Sequence, residues 1–198
     1  MAIQYFDQVL AQGLRQGQIP NRTKEARVWY RDAAKKMSKV NESALFKGEG
    51  AVLKNSIIPG NMYMFYYDPK LKKTLPYYDT FPLVFPIGPA EGGFLGLNMH
   101  YLPLPLRAKL MDALYTTTTN TKFDETTKLK VNYETLVKTK NMAYFKPCLK
   151  HYLYNHLRSK FIYVLPTEWD IALFLPTARF EKASQNEVWA DSKRIIGA

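Results

Sequence analysis

Apolar and polar positions alternate in blocks along residues 62–102, where three aromatic-rich runs, 62–67, 77–87 and 94–102, stand between turn signals at Asp68-Pro69 and at 88–93. Short apolar runs bounded by Pro and Gly predict strands. Five prolines (Pro69, Pro76, Pro82, Pro86 and Pro89) each remove a ladder donor, which argues against a regular central sheet. The block therefore predicts a small curled sheet or an SH3-like barrel over 61–102. Asp68-Pro69 and the lysines Lys70, Lys72 and Lys73 form its exposed basic hairpin tip.

Helical spacing dominates elsewhere. Ile3, Phe6, Val9, Leu10 and Leu14 outline a short helix, or an arm that orders against a partner, with Gly13 and Gly17 weakening its far end. Asn21 or Thr23 caps a helix over 24–40. Its apolar face is Ala26, Trp29, Tyr30, Ala33, Ala34 and Met37, and Arg27, Arg31, Lys35, Lys36 and Lys39 cover the other. Residues 41–60 read as a polar connector. Pro103 and Pro105 open a helix over 106–115, and the β-branched run 116–119 with Asn120 reads as a loop. Helices follow over 126–140 and, after Pro147, over 148–159. Residues 161–165 and 171–175 read as strands, with Thr167 and Asp170 capping a turn between them. Ser184-Gln185-Asn186-Glu187 is a capping box for a terminal helix that Gly197 stops. The fold class is α+β: a basic helical arm over 1–60, then a core domain over 61–198.

Totals narrow the function. In 198 residues, 46% are apolar and 14% aromatic, which is a globular composition. The 28 basic residues outnumber 17 acidic ones for a net charge of +11, an excess that attracts polyanions. Cys148 is the only cysteine, so no intrachain disulfide or thiolate metal cluster forms, and the chain reads as a soluble protein of a reducing compartment. No apolar stretch is long enough to span a membrane, and the N-terminus lacks the basic start of a secretory signal. No membrane contact, cofactor, metal or small-molecule substrate is expected.

The acid-free stretch 135–167 carries Lys138, Lys140, Lys146, Lys150, Arg158 and Lys160 among aromatics that include Tyr144 and Tyr154. Cations neutralise phosphates, and aromatic faces stack on unpaired bases. The same mixture recurs where Lys70, Lys72 and Lys73 stand beside Tyr66, Tyr67, Tyr77 and Tyr78. The alternative is an aromatic core with a solvated lysine rim. Enzymatic chemistry finds little support. His151 and His156 are five apart, not at the i, i+4 spacing of a zinc helix. The carboxylates are scattered, Glu168 with Asp170 and Asp68 with Asp79 being the nearest to a nuclease set.

The segments MYMFYYDPKLKKTLPYYDTFPLVFPI, GGFLGLNMHYLPLPLRAKLMDALY, YFKPCLKHYLYNHLRSKFIYV and EWDIALFLPTARFEKAS together resemble a virion protein of T4-like tailed phages, the myoviruses. Within that group the resemblance is to the DNA end protector type, with a neck or baseplate hub component as the second candidate. It implies a non-enzymatic virion protein, assembled in the host cytoplasm, that contacts linear DNA ends near the head and portal. The second candidate implies docking on portal, neck, tail or baseplate proteins instead. The first sixty residues add little to the resemblance and read as a docking arm, with Trp29, Arg27, Arg31 and Lys35 as its partner-binding residues.

Overall fold

Strands far apart in the chain build one six-stranded antiparallel sheet. They are β1 (Val52–Lys54), β2 (Met62–Met64), β4 (Leu83–Ala90), β5 (Gly93–Asn98), β6 (Leu149–Leu153) and β7 (Phe161–Val164), in the order β1-β7-β2-β4-β5-β6. A separate pair joins β3 (Tyr78–Asp79) to β8 (Phe180–Glu181). The computed structural model describes residues 5–20, 23–37, 40–47, 52–118, 120–141 and 143–197. Ile3, Asn21, Lys39, Thr119 and part of the 41–60 connector lie outside the described residues.

The sheet alternates as period-two geometry requires. Met62, Met64, Leu83, Phe85, Leu97, Ile162 and Val164 face the main core. Tyr63, Phe65, Val84, Phe94 and Phe161 turn the other way into a second cluster with Tyr67 and Tyr152. Both faces are therefore apolar, which is why the strands read as nearly continuous hydrophobic runs. The sheet is not closed into a barrel: β1 and β6 are its two edges and do not pair. Pro86 and Pro89 are accommodated in β4 by a register shift between Pro86 and Gly88.

Seven α-helices are described: α1 (Tyr5–Arg15), α2 (Lys24–Lys35), α3 (Glu42–Lys47), α4 (Leu104–Thr118), α5 (Glu125–Thr139), α6 (Trp169–Ala172) and α7 (Gln185–Ile196). Phe6, Val9, Tyr30, Ala34 and Leu45, from α1 to α3, belong to the same core as the sheet residues. Thr23 caps α2, its side chain accepting from the Ala26 N–H at 3.1 Å. Around α7, Ser184 and Glu187 exchange hydrogen bonds as the capping box requires, and Gly197 ends the helix at φ +78°.

Four expectations are corrected. Residues 149–153 are a strand, not part of a helix over 148–159, because pairing with β5 and burial of Tyr152 outweigh local propensity. Residues 171–175 are not a strand: α6 and the turn after it bury every residue from Trp169 to Leu175, and an apolar run so short does not report its period. α4 continues into the threonine run as far as Thr118, since Leu110, Met111, Leu114 and Thr117 form one buried face. The segment 68–77 is no hairpin tip, because β2 pairs with β4 and β7 while β3 pairs with β8.

Part of the basic face of α2 also turns inward, while Lys35 and Lys36 stay exposed. Arg27 and Arg31 are buried, and both reach Asp112 on α4. Arg31 Nε donates to the buried Asp170 carboxylate of α6 at 2.6 Å. Arg27 lays its guanidinium 3.9 Å from the centre of the Tyr115 ring. Planar guanidinium groups suit such buried, forked pairing. Near this seam Glu168 accepts from the Leu165 N–H at 3.1 Å. Burial pushes its carboxyl up to about 7, with Asp7 of α1 adding to the effect.

Replacing Asp170 with Ala leaves the Arg31 charge buried and should cost about 3–5 kcal/mol, read as a lower urea midpoint. The folded protein holds the Glu168 proton to higher pH than the unfolded chain does. Stability should therefore fall as pH rises from 4.5 towards 7, by at most about 3 kcal/mol. Unfolding titrations across that window should show the slope, and Glu168→Gln should flatten it.

Candidate nucleic-acid interface

The turn after β2 and the edge strand β6 face each other across a cleft of about 360 Å³. The turn is tightly wound, with Lys72 N–H donating to Pro69 O and Thr74 and Leu75 N–H to Leu71 O. Asp68 anchors its start. Its backbone N–H donates to His156 O at 3.0 Å, and its carboxylate accepts from Lys72 Nζ at 2.8 Å and Arg158 Nη2 at 3.3 Å. Those two cations hold the Asp68 carboxyl below its ordinary value. At the far end, Lys182 Nζ donates to Lys73 O and Leu75 O. Lys70, Leu71, Lys72 and Lys73 are left exposed between these anchors.

Opposite stands β6. Gly93 allows its close approach, since a Cβ there would lie 1.8 Å from Tyr152 O. The resulting register sets Lys150 against Gly96 and His151 against Leu95. Lys150 reaches into the cleft and lies with Nζ 3.9 Å from the Tyr101 ring centre, a cation–π contact. Burial pulls its amine down from the ordinary lysine value, against the opposing pull of Cys148 and Asp191. Tyr67, Tyr77, Tyr78, Tyr101 and Tyr152 line the cleft between these walls. Tyr77 is held by its hydroxyl, which donates to Asp191 Oδ2 at 2.5 Å.

A buried polar network closes the inner end. Asp79 accepts from Phe81 N–H at 3.0 Å, Asn98 Nδ2 at 3.0 Å, His100 Nδ1 at 2.7 Å and Arg179 N–H at 3.3 Å. His100 Nε2 then lies 3.1 Å from Thr177 Oγ1. With Nδ1 donating to Asp79, Nε2 accepts the threonine proton. Burial keeps His100 neutral against the pull of Asp79. Burial would raise the Asp79 carboxyl, but its contacts with His100, Asn98 and Phe81 outweigh that and hold it low. The Asp-His-Thr order resembles a hydrolytic relay, but His100 and Thr177 are both completely buried, so no substrate reaches the hydroxyl. The network bolts the β3–β8 pair to β5.

The structure thus joins part of the predicted surface and separates the rest. Lys70 and Lys150, eighty residues apart, line one cleft. Lys72 and Lys73 belong to its anchored turn, Arg158 pairs with Asp68 at the start of that turn, and exposed Tyr154 directly follows the lining residue Leu153. Lys138 and Tyr144 line a second groove with Lys109, between α4 and α5. Lys140, Lys146 and Lys160 line neither. Of the expected docking residues, Arg27 and Arg31 are corrected to internal ion pairing. Trp29 is half-buried and donates its indole N–H to Gln16 Oε1, while Lys35 is exposed beside Asp32.

His151 and His156 belong to a strand and a 3-10 turn, where each ring meets a backbone carbonyl. Glu168 and Asp170 serve a turn and an ion pair. Among the described residues, no three His, Cys, Asp or Glu side chains gather as metal ligands would. No described helix is long and apolar enough to cross a membrane. Tyr101, Lys182 and the Asp79–His100–Thr177 network are site features that sequence patterning missed. They come from three separate segments, which the pairing of β3 with β8 and the bonds of Asp79 to Asn98 and His100 bring together.

Compared with known families, the chain matches the model of the phage T4 terminal DNA protecting protein over residues 2–193. No curated protein and no solved structure matches it. The match includes the first sixty residues, which the four phage-like segments leave out. With nearly the whole chain covered, the protein belongs to the phage T4 terminal DNA protecting protein family.

Proposed function

We propose that this protein covers the ends of linear DNA near the head and portal of the phage particle, as a virion component without catalytic activity. The observation that carries the reading is the convergence of Lys70 and Lys150 on one tyrosine-lined cleft, rimmed by the exposed Lys72–Lys73 turn and Arg158. A duplex end offers phosphates to the cations and an open base face to the aromatics. Interior duplex offers only the phosphates. The family's DNA-protecting description supports the same reading.

Docking on portal, neck, tail or baseplate proteins is a second role, favoured by the groove between α4 and α5. Its lining is largely apolar, Tyr144 is half-exposed there, and Lys109 and Lys138 are its charged residues. Such a groove suits an acidic, apolar segment of another virion protein.

Binding of a labelled linear duplex should weaken steeply as salt rises. In Lys70→Glu/Lys73→Glu the slope of log K against log salt should be shallower by about 2, roughly 0.9 for each phosphate no longer neutralised. Fluorescence anisotropy between 50 and about 200 mM salt reads this directly, the range over which such binding weakens most visibly. Absence of binding at the lowest salt, together with incorporation into particles, would leave only the docking role.

A further inference from the structure

The shape and charge of the cleft point to a narrower ligand than a DNA end as a whole. We propose that it holds one unpaired terminal nucleotide, with the base among the tyrosines and the phosphate between Lys70 and Lys150. This rests on the DNA-end reading above and specifies which part of the end is recognised.

Volume comes first. About 360 Å³ lies at the small end of the roughly 300–1,000 Å³ range of small-ligand sites, which suits one nucleotide and not a stacked base pair. Charge then sets its orientation. The inner end holds Asp79, a carboxylate that four donors already hold, and its negative charge repels an anion there. The cations of the lining are Lys70 on the turn and Lys150 on the opposite wall. A phosphate is therefore drawn to the two lysines and away from Asp79, and the flat, neutral base is left to the tyrosine rings. Tyr77 and Tyr78 are only partly buried, leaving ring surface for a base to cover. Lys150, held against the Tyr101 ring and short of water, gains more from an incoming anion than a fully hydrated lysine would.

Leu71 adds an independent feature. At 59% it is the most exposed large hydrophobic side chain among the described residues, and it lines the cleft between Lys70 and Lys72. Once the terminal nucleotide has entered, the neighbouring base pair presents a bare face, and Leu71 is placed to cover it. Apolar side chains play that part against unstacked bases elsewhere. Extracting a nucleotide costs least where it is already unpaired, so affinity should rank overhang above blunt end, and blunt end above DNA without ends.

The test uses the full chain and three duplexes of one sequence: a closed circle, a blunt linear form, and a linear form with a one-nucleotide overhang carrying 2-aminopurine. Stacking on tyrosine should quench the overhang probe, while the same probe placed internally should keep its fluorescence. Affinity for the overhang should exceed that for the circle by about tenfold or more, the scale of one base–aromatic stack. Leu71→Glu, on an exposed turn, and Lys150→Gln should each reduce both the quench and the preference, with circular dichroism checking the fold. Preference for linear over circular DNA without overhang preference or quenching would overturn the nucleotide site and leave end binding standing. Equal binding to all three, or no binding, would overturn both.

Discussion

Everything at the cleft depends on how closely β6 approaches β5. Gly93 lies against the Tyr152 carbonyl at a distance no side chain permits, and that contact sets the register along the edge of the sheet. With the register set, Tyr152 and Lys150 share one face of β6, the tyrosine packed in the aromatic cluster and the lysine against Tyr101 in the cleft. A one-residue slip would turn both to the opposite face and bring their neighbours Leu149 and His151 to the cleft side instead. The working surface is thus a consequence of sheet pairing, and the pairing is enforced by the absence of one methyl group.

Three arginines carry their charge into the interior. Arg27, Arg31 and Arg107 are buried: Arg31 and Arg107 each meet several acceptors at once, while Arg27 pairs with Asp112 and lies over the Tyr115 ring. Arg107 donates to three backbone carbonyls, those of His100, Leu102 and Leu173, tying the turn after β5 to the end of α6. Lys70, Lys72 and Lys73 stay at the surface and remain hydrated, while Lys150 is half-buried in the cleft. Net charge alone overstates the surface available to a polyanion, because part of it is structural.

Local chemistry was legible wherever a short pattern had one physical meaning. Thr23, the Ser184–Glu187 box and Gly197 marked helix ends, and the helices over 24–35 and 125–139 followed from their spacing. The aromatic runs marked β2, β4 and β5. Patterns with two meanings misled. Residues 148–159 carry a helix-compatible composition, yet β5 offers an unpaired edge there and the pairing wins. Leu173 to Leu175 are apolar throughout, so nothing in their order separates strand from turn. Arg27 and Arg31 looked solvated because their acidic partners, Asp112 and Asp170, are some eighty and one hundred and forty positions away.

Element types at well-capped positions, the aromatic strand block, the basic-aromatic chemistry and the phage resemblance could all be read along the chain. These depend on neighbours within a few residues, or on composition, which folding does not alter. Only the tertiary structure decided that the sheet stays open, that Lys70 and Lys150 share one cleft while Lys138 and Tyr144 line another groove, and that Asp79, His100 and Thr177 lock its inner end. Those outcomes rest on contacts between distant segments, and local periodicity carries no record of which strand edge or counter-charge will be waiting.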